Sequence, residues 1–543
     1  MQGLNRYFIA LSIFLSAQVL CTQSLLAQQR IKLDGANSMK NLKINGRNLI
    51  RYIGNVRFLY DNTKMYCDSA YLDPDDNSFD AYGNVVIAKE KTKIYGEKLH
   101  FDGKTSLGKL TGHEVRLVDE DATLVTNVLQ FNSKTSYAFY TTGGVVTSKD
   151  SKLTSQRGYY DRSTGNVAFA GKVEMNHPDG TLYTDSLEYR TKVEVANFFG
   201  PTNIYNKDNF AYCEKGWYNR KIEQSNFQTN AYVVNGNQKL FGDNIFYDKP
   251  NGYARIIGKV VVVDTVNNTY AYGDKANYWD LKKEAEITDN PYVMMIDKKD
   301  TLFLRSDKLF LRTLKKEKVS TTDSTYRLLK AIGDVKFYRR DVQGVCDSMV
   351  YNTNDSTLVM HVNPIMWNET NQMTADLITM HSGKNSIRQM DFVGSAFVAS
   401  KEDTLHFNQL RGKSIYARFT DGKLNRMDVQ GNGQSVYYGR ENDTITMVNR
   451  VECSDISIYV RENKISRIVY RDKPSSNFYP IDLVEIEDVT LKGFRWRENL
   501  RPVNRFSIIP KTLKLFPVDK SRNKAKPVLK AKTVEIKQKR EVK

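Results

Sequence analysis

The chain has few of the residues that build catalytic and metal sites, and few that interrupt strands. Its 543 residues include 12 Pro, 6 His, 5 Cys and 4 Trp. The histidines form no H-x-x-x-H pair, and no two cysteines lie close in sequence, so no metal-ligand spacing is present. No G-x-S-x-G elbow, phosphate-binding G-x-x-x-x-G-K-[ST] loop, H-E-x-x-H helix or C-x-x-C pair occurs. No stretch after the first 27 residues approaches the ~20 apolar residues of a membrane-spanning helix. These absences point away from an enzyme, and no cofactor or metal is expected.

Aromatics are abundant, with 32 Tyr and 25 Phe. With the β-branched residues they favour strands. Hydrophobic content is 40%, enough for a sizeable core. The formal net charge is +18, which implies an anionic partner or simple solubility. Lys and Arg are spread among turns and do not cluster around aromatic platforms, so nucleic acid is not expected as a partner.

Residues 1–27 read as a secretory signal. Arg6 precedes an apolar run from Tyr7 to Leu20, and Ser24 to Ala27 offers a small-residue cleavage site. Leu20 is too bulky for lipoprotein processing at Cys21.

One phrase recurs thirteen times: an apolar stretch, a small residue, a polar residue, then an apolar–x–aromatic tail. Examples are MYCDSAYLD, IYGEKLHFD, LYTDSLEYR and LFGDNIFYD. The small residue falls at Cys67, Gly96, Thr126, Ser155, Thr184, Cys213, Gly242, Gly273, Ser306, Cys346, Ala375, Gly412 and Cys453. Most gaps are 29 or 30; from Gly273 onward they lengthen to as many as 41. A fixed period of this size means stacked repeats whose neighbours cover one another's apolar faces. All four cysteines after the signal occupy the small slot, where Cys reads as a small buried residue. Cys67 and Cys213 stand too many strand spacings apart for a disulfide.

Each repeat reads as strands joined by tight polar turns. In the second copy, Tyr82 to Ala88 is a strand opened by Gly83. Lys89 to Thr92 is a turn, Lys93 to Phe101 a second strand, and Asp102-Gly103 a hairpin turn. A Gly heads most copies, as at Gly54, Gly112, Gly171, Gly200, Gly258 and Gly333. Asn290-Pro291 and Asn363-Pro364 take its place elsewhere. One bend per repeat at a fixed place forms a corner between two sheets. Recurrent acids after an aromatic (Asp73, Asp102, Asp161, Asp248) read as Asx turns rather than as catalysts.

Alternation assigns an inward face to Val56, Phe58, Val85, Ile87, Val115, Leu117, Val145, Val173, Met175, Val260, Val262, Val335 and Phe337. Such a stripe fits either a packed core or a groove for an elongated apolar ligand. From Pro474 the repeat is lost. Residues 474–518 are a separate extension, and 519–543 are a basic tail with ten Lys or Arg against three acids, read as disordered and suited to an anionic surface or to solvation.

The units Gly83-Asn84-Val85-Val86 with Tyr95 to Asp102, Gly54-Asn55-Val56 with Tyr66 to Tyr71, and Gly171-Lys172-Val173 with Tyr183 to Tyr189 resemble the OstA-like, or LptA-like, family of organic-solvent-tolerance and periplasmic lipopolysaccharide-transport proteins. The resemblance covers roughly residues 45–470. It implies an all-β fold of stacked antiparallel β-jelly rolls built from ~29-residue repeats, one long roll or two in tandem. Regular repeats run over 28–275 and less regular ones over 276–473. It further implies a non-enzymatic protein in the periplasm of a Gram-negative bacterium, at or near the outer membrane. Such a protein holds lipopolysaccharide acyl chains in an apolar groove lined by the inward residues. Its partners are lipopolysaccharide or a similar anionic lipid, and other jelly-roll transport proteins or an outer-membrane translocon, met by edge-strand stacking. The chain departs from translocon members in having about 70 residues after the repeats, too few for their barrel. A structural envelope scaffold that binds assembly proteins through its end strands is the alternative.

Overall fold

The computed structural model describes residues 30–510 apart from 121, 207–208, 297–299, 317–324, 384–385, 443 and 463. The signal, the basic tail and most of the long connection around Lys315 to Asp323 lie outside the described residues. Almost every described element is an antiparallel strand, usually paired with the strands before and after it in sequence. No described helix is long and apolar enough to cross a membrane.

The chain divides into two compact units. The first holds the repeats up to Pro291, with 307–330 and 351–354; the second holds 292–306, 331–350 and the remainder. In the first, the strands Thr63–Asp73, Ser78–Lys89, Thr92–Asp102 and Leu107–Val118 pair in sequence order, each ladder shifting register once. The opening strand Arg47–Tyr60 is flanked on its free side by two short strands, Lys32–Gly35 and Ser38–Ile44. In the second unit, Thr444–Arg461 is flanked in the same way by Lys464–Arg471 and Ser475–Pro480.

Gly83 does not open its strand but sits in the middle of it. Tyr82 pairs with Lys98, whereas Val85 pairs with Gly96, so the ladder slips by one residue at Gly83-Asn84. Both residues are left-handed, with φ of 73° and 43°. This two-residue bulge turns the strand, and the same corner recurs along the chain. Where glycine is missing, Asp289-Asn290 and Val362-Asn363 take the two left-handed places, at φ 60° and 61° and at φ 60° and 51°. Gly112 is the exception: its φ is not positive, and a wider bulge between Thr111 and Val115 makes the corner.

The corner explains the polar residue after each small slot. Asn84 Nδ2 donates to Asp68 Oδ2 at 2.8 Å. At the same spacing of 16 residues, the His113 N–H donates to Glu97, Asn230 to Glu214, Lys259 to Asp243 and Asn290 to Asp274. These acids lock bends. The acids expected in turns are there too: Asp73 accepts the N–H groups of Asp75 and Asp76, and Asp102 those of Lys104 and Thr105. Asp161 accepts from Ser163 and Thr164, and Asp248 from Asn251.

The small slot is buried beneath the next strand. A Cβ on Gly242 would stand 2.3 Å from Ile256 Cγ2, and one on Gly273 2.4 Å from Ile287. Cys67, Cys213 and Cys346 are buried and all four described cysteines are free thiols. Burial, the largest cause in each case, pushes Cys67 and Cys346 up to about 12 and Cys213 to about 11. They are packing residues, not nucleophiles.

Candidate functional site

The inner face of the first unit changes character along its length. Phe58, Ile87 and Leu117 occupy one position of successive repeats and are buried. Val146, Met175, Ile204, Val233 and Val262 follow at the same position, each 29 residues from the last, and all are only partly buried. Their cross-strand neighbours follow the trend at its two ends: Met65 and Ile94 are buried, and Leu182, Leu240 and Ala271 are partly covered, while between them Leu124 is partly covered and Leu153 is buried.

A second row opens in step. Phe101 and Phe131, five residues after the small slot, are 0% and 5% exposed. The next repeats carry Tyr160 and Tyr189, partly buried, then Tyr218, Tyr247 and Tyr278, each 38% exposed. Phe gives way to Tyr where the row reaches water. An aromatic ring with a phenol at its end suits a position that is apolar on one side and wet on the other. Burial raises the Tyr160 and Tyr189 hydroxyls, and burial with the hydrogen bond to Asp280 raises Tyr278 to about 12. All three are neutral donors at physiological pH.

Between the two rows the corner stays closed. Val173, Cys213, Ala231 and Val260 are each 1% exposed, and Thr184 and Thr202 pair hydroxyl to hydroxyl at 2.8 Å. The interior from about Val146 to Tyr278 is therefore an apolar track with a sealed floor and half-open sides, edged on one side by tyrosines. No group of three or more potential metal ligands occurs among the described residues.

The inward residues read from the sequence, of which Val335 and Phe337 belong to the second unit, point into the interior of their own unit with one exception. Val56, Phe58, Val85, Ile87, Val115, Leu117, Val173, Val260, Val335 and Phe337 are buried, and Met175 and Val262 are partly buried on the track. Val145 faces the other way. It pairs with Val125 and Thr154, while its neighbour Val146 pairs with Leu124 and Leu153 and packs inward. The reason is the corner at Thr142-Gly143, where glycine takes the second place of the bend and not the first. Gly144 then occupies the position held by Val85, and the side chains of that strand, Gly144–Ser148, shift by one.

Sequence reading missed the other assembled surface. Residues 481–509 of the second unit lie as a strap along its outer face. Leu491 N–H donates to Gln409 Oε1 at 2.9 Å. Gln372 donates to the Arg495 carbonyl and accepts from the Arg497 N–H, both at 2.7 Å. Arg501 donates twice to Gln343 Oε1, at 2.8 and 2.7 Å. The three glutamines are 3–4% exposed and each stands three residues before its small slot. No earlier repeat carries glutamine there: Lys64, Lys93, Lys152 and Lys239 hold the place in four, and Thr, Phe or Tyr in the rest. That substitution is the signal a sequence reading could use. Val489 and Leu491 pack with Ala399, Val436 and Val448, and Phe407 meets Phe494 and Trp496 at 5.2 and 5.0 Å.

The profile of the OstA-like protein family matches residues 28–180 and 165–243. The profile described as LptA/(LptD N-terminal domain) LPS transport protein matches residues 270–386. No curated protein matches the chain. Among solved structures, the crystal structure of LptH, described as the LptA homologous periplasmic component of the lipopolysaccharide transport device from Pseudomonas aeruginosa, is similar at 15% identity. The match covers 25% of this chain and 93% of that one, with a TM-score of 0.20. The repeats over 28–243 are thus OstA-like, and those over 270–386 match the related LptA/(LptD N-terminal domain) LPS transport profile.

Proposed function

We propose that this protein is a non-enzymatic periplasmic carrier that holds lipopolysaccharide acyl chains along the interior of its first unit, on the way to the outer membrane. The observation that carries the reading is the paired opening of the two inner rows. One apolar row passes from covered Phe58 to half-covered Val262, and its opposite passes from covered Phe101 to exposed Tyr278. Acyl chains need a continuous apolar track, and their head groups need hydrogen-bond donors and acceptors at its edge. Met175, Ile204, Val233 and Val262 supply the first; the tyrosine row supplies the second. Of the inward residues, Val56, Phe58, Val85, Ile87, Val115 and Leu117 serve as the packed end of the track rather than as its lining. Val173, Val260, Val335 and Phe337 are likewise packed.

Relay to other jelly-roll proteins rests on the ends of the units. The short flanking strands at 32–44 and 464–480 leave backbone groups on their far sides that no described strand pairs, and such edges template strand addition. Mass spectrometry of lipid released from the protein purified out of the envelope tests the cargo. Stoichiometric lipid A species are the expected result; protein that carries only bulk phospholipid, or none, refutes it.

A further inference from the structure

The charge of this chain is not spread over its repeats. Residues 491–543 carry seventeen Lys or Arg against four acids, so thirteen of the eighteen net positive charges sit in the last tenth of the chain. The preceding 490 residues are close to neutral, which removes the net charge as a property of the inner track. The structure shows how this basic segment begins. The strap is fixed face down by Gln409, Gln372 and Gln343, with Leu491, Pro502, Ile508 and Ile509 buried. Its other side presents Lys492, Arg495 and Arg505, all exposed, beside Leu500, Val503 and Phe506 at 43%, 67% and 44% exposure. The one acid between 489 and 510, Glu498, already pairs with Arg501. The 33 residues after Pro510 then add twelve more basic side chains against three acids.

We propose that the strap and the chain beyond it seat this protein on an anionic phospholipid bilayer. Each element has a part. The glutamine ladder holds the strap so that its apolar and basic side chains point away from the fold. Val503 and Phe506 enter the interfacial region, and the Lys and Arg residues meet lipid phosphates, singly weak and additive in number. The outward strap has no track for an acyl chain, so a bilayer surface fits it better than an extracted lipopolysaccharide molecule. This contact is separate from the inner track and stands whether or not that track carries lipid.

The test is flotation of the full chain with vesicles of phosphatidylcholine alone or of equimolar phosphatidylcholine and phosphatidylglycerol. Binding to the phosphatidylglycerol vesicles alone is expected, and salt weakens it. Truncation after Pro510 leaves the buried isoleucines in place and weakens partitioning on the order of 100-fold. Val503→Asp with Phe506→Asp in the truncated chain removes the remainder, while hydrogen exchange at 489–497 stays protected. Equal binding to both vesicles, no binding, or full binding after truncation overturns the proposal. So does capture by lipopolysaccharide micelles with none by phosphatidylglycerol vesicles.

Discussion

Asp68 and Asn84 are hydrogen-bonded at 2.8 Å across adjacent strands, and this contact is the joint on which each repeat bends. The acid faces the left-handed pair Gly83-Asn84 so closely that a Cβ on Gly83 would stand 2.3 Å from Asp68 Oδ2. Gly54, Gly200, Gly258 and Gly394 meet the polar residue of the preceding strand in the same way. The bend is therefore specified by a left-handed pair, here Gly83-Asn84, and by a short acid fifteen residues before the glycine and sixteen before the asparagine.

Replacing Gly83 tests this joint. Gly83→Ala forces a Cβ into the left-handed region and onto the carboxylate. The expected loss is about 2 kcal/mol, read from urea unfolding. Asp68→Ala removes the clash and the hydrogen bond together. Its own loss is about 1 kcal/mol, and the double variant loses less than the two singles combined.

Closed and open parts of the interior respond differently to truncation. Phe58 is 1% exposed and packs on Phe79 with ring centroids 4.5 Å apart. Phe58→Ala costs about 3–5 kcal/mol. Ile204→Ala, at the equivalent half-covered position, costs less than half of that, because little cover surrounds the missing atoms. Ile204→Trp leaves stability nearly unchanged and lowers lipid content, measured as lipid A released per mole of protein.

Gln372 alone holds two backbone groups of the strap. Gln372→Ala leaves the Arg495 carbonyl and the Arg497 amide without their partner. A loss of about 1–3 kcal/mol is expected. It appears as faster hydrogen exchange at residues 489–501, with protection in the first unit unchanged.

The buried thiols set a pH dependence. In the unfolded chain a cysteine ionises near 9.0, whereas in the fold Cys67 and Cys346 stay protonated up to about 12 and Cys213 to about 11. Below pH 9 both states are protonated and the full stability is present. Above pH 9 only the unfolded state ionises, so stability falls as pH rises. Replacing the three cysteines with alanine reduces the fall of the urea midpoint between pH 9 and 11, the remainder belonging to buried tyrosines such as Tyr140 and Tyr272. At pH 8 the native thiols resist a disulfide reagent that labels the urea-unfolded chain at once.

Much of the architecture was legible because the repeat encodes it locally. The small slot, the turn aspartates and the alternation at Val56, Val85 and Val115 each depend on neighbours within about one repeat. Val145 shows the limit of that reading: one glycine in the second place of a bend reverses the face assigned to the strand that follows it. Whether the track is open was not legible, because Phe58 and Val262 are equally apolar and differ only in what covers them. The Phe-to-Tyr change from Phe131 to Tyr160 was the one local trace of that opening. The strap was hidden because Gln343, Gln372 and Gln409 acquire meaning only when a segment 82 to 158 residues away lies on them.

A photoreactive residue placed along the inner row reads the cargo account most directly. Installed at Phe58, Met175, Ile204 and Val233 in turn, it is predicted to capture lipopolysaccharide in cells at the last three positions and not at Phe58. Capture that is absent from all four, or equal at all four, contradicts the account.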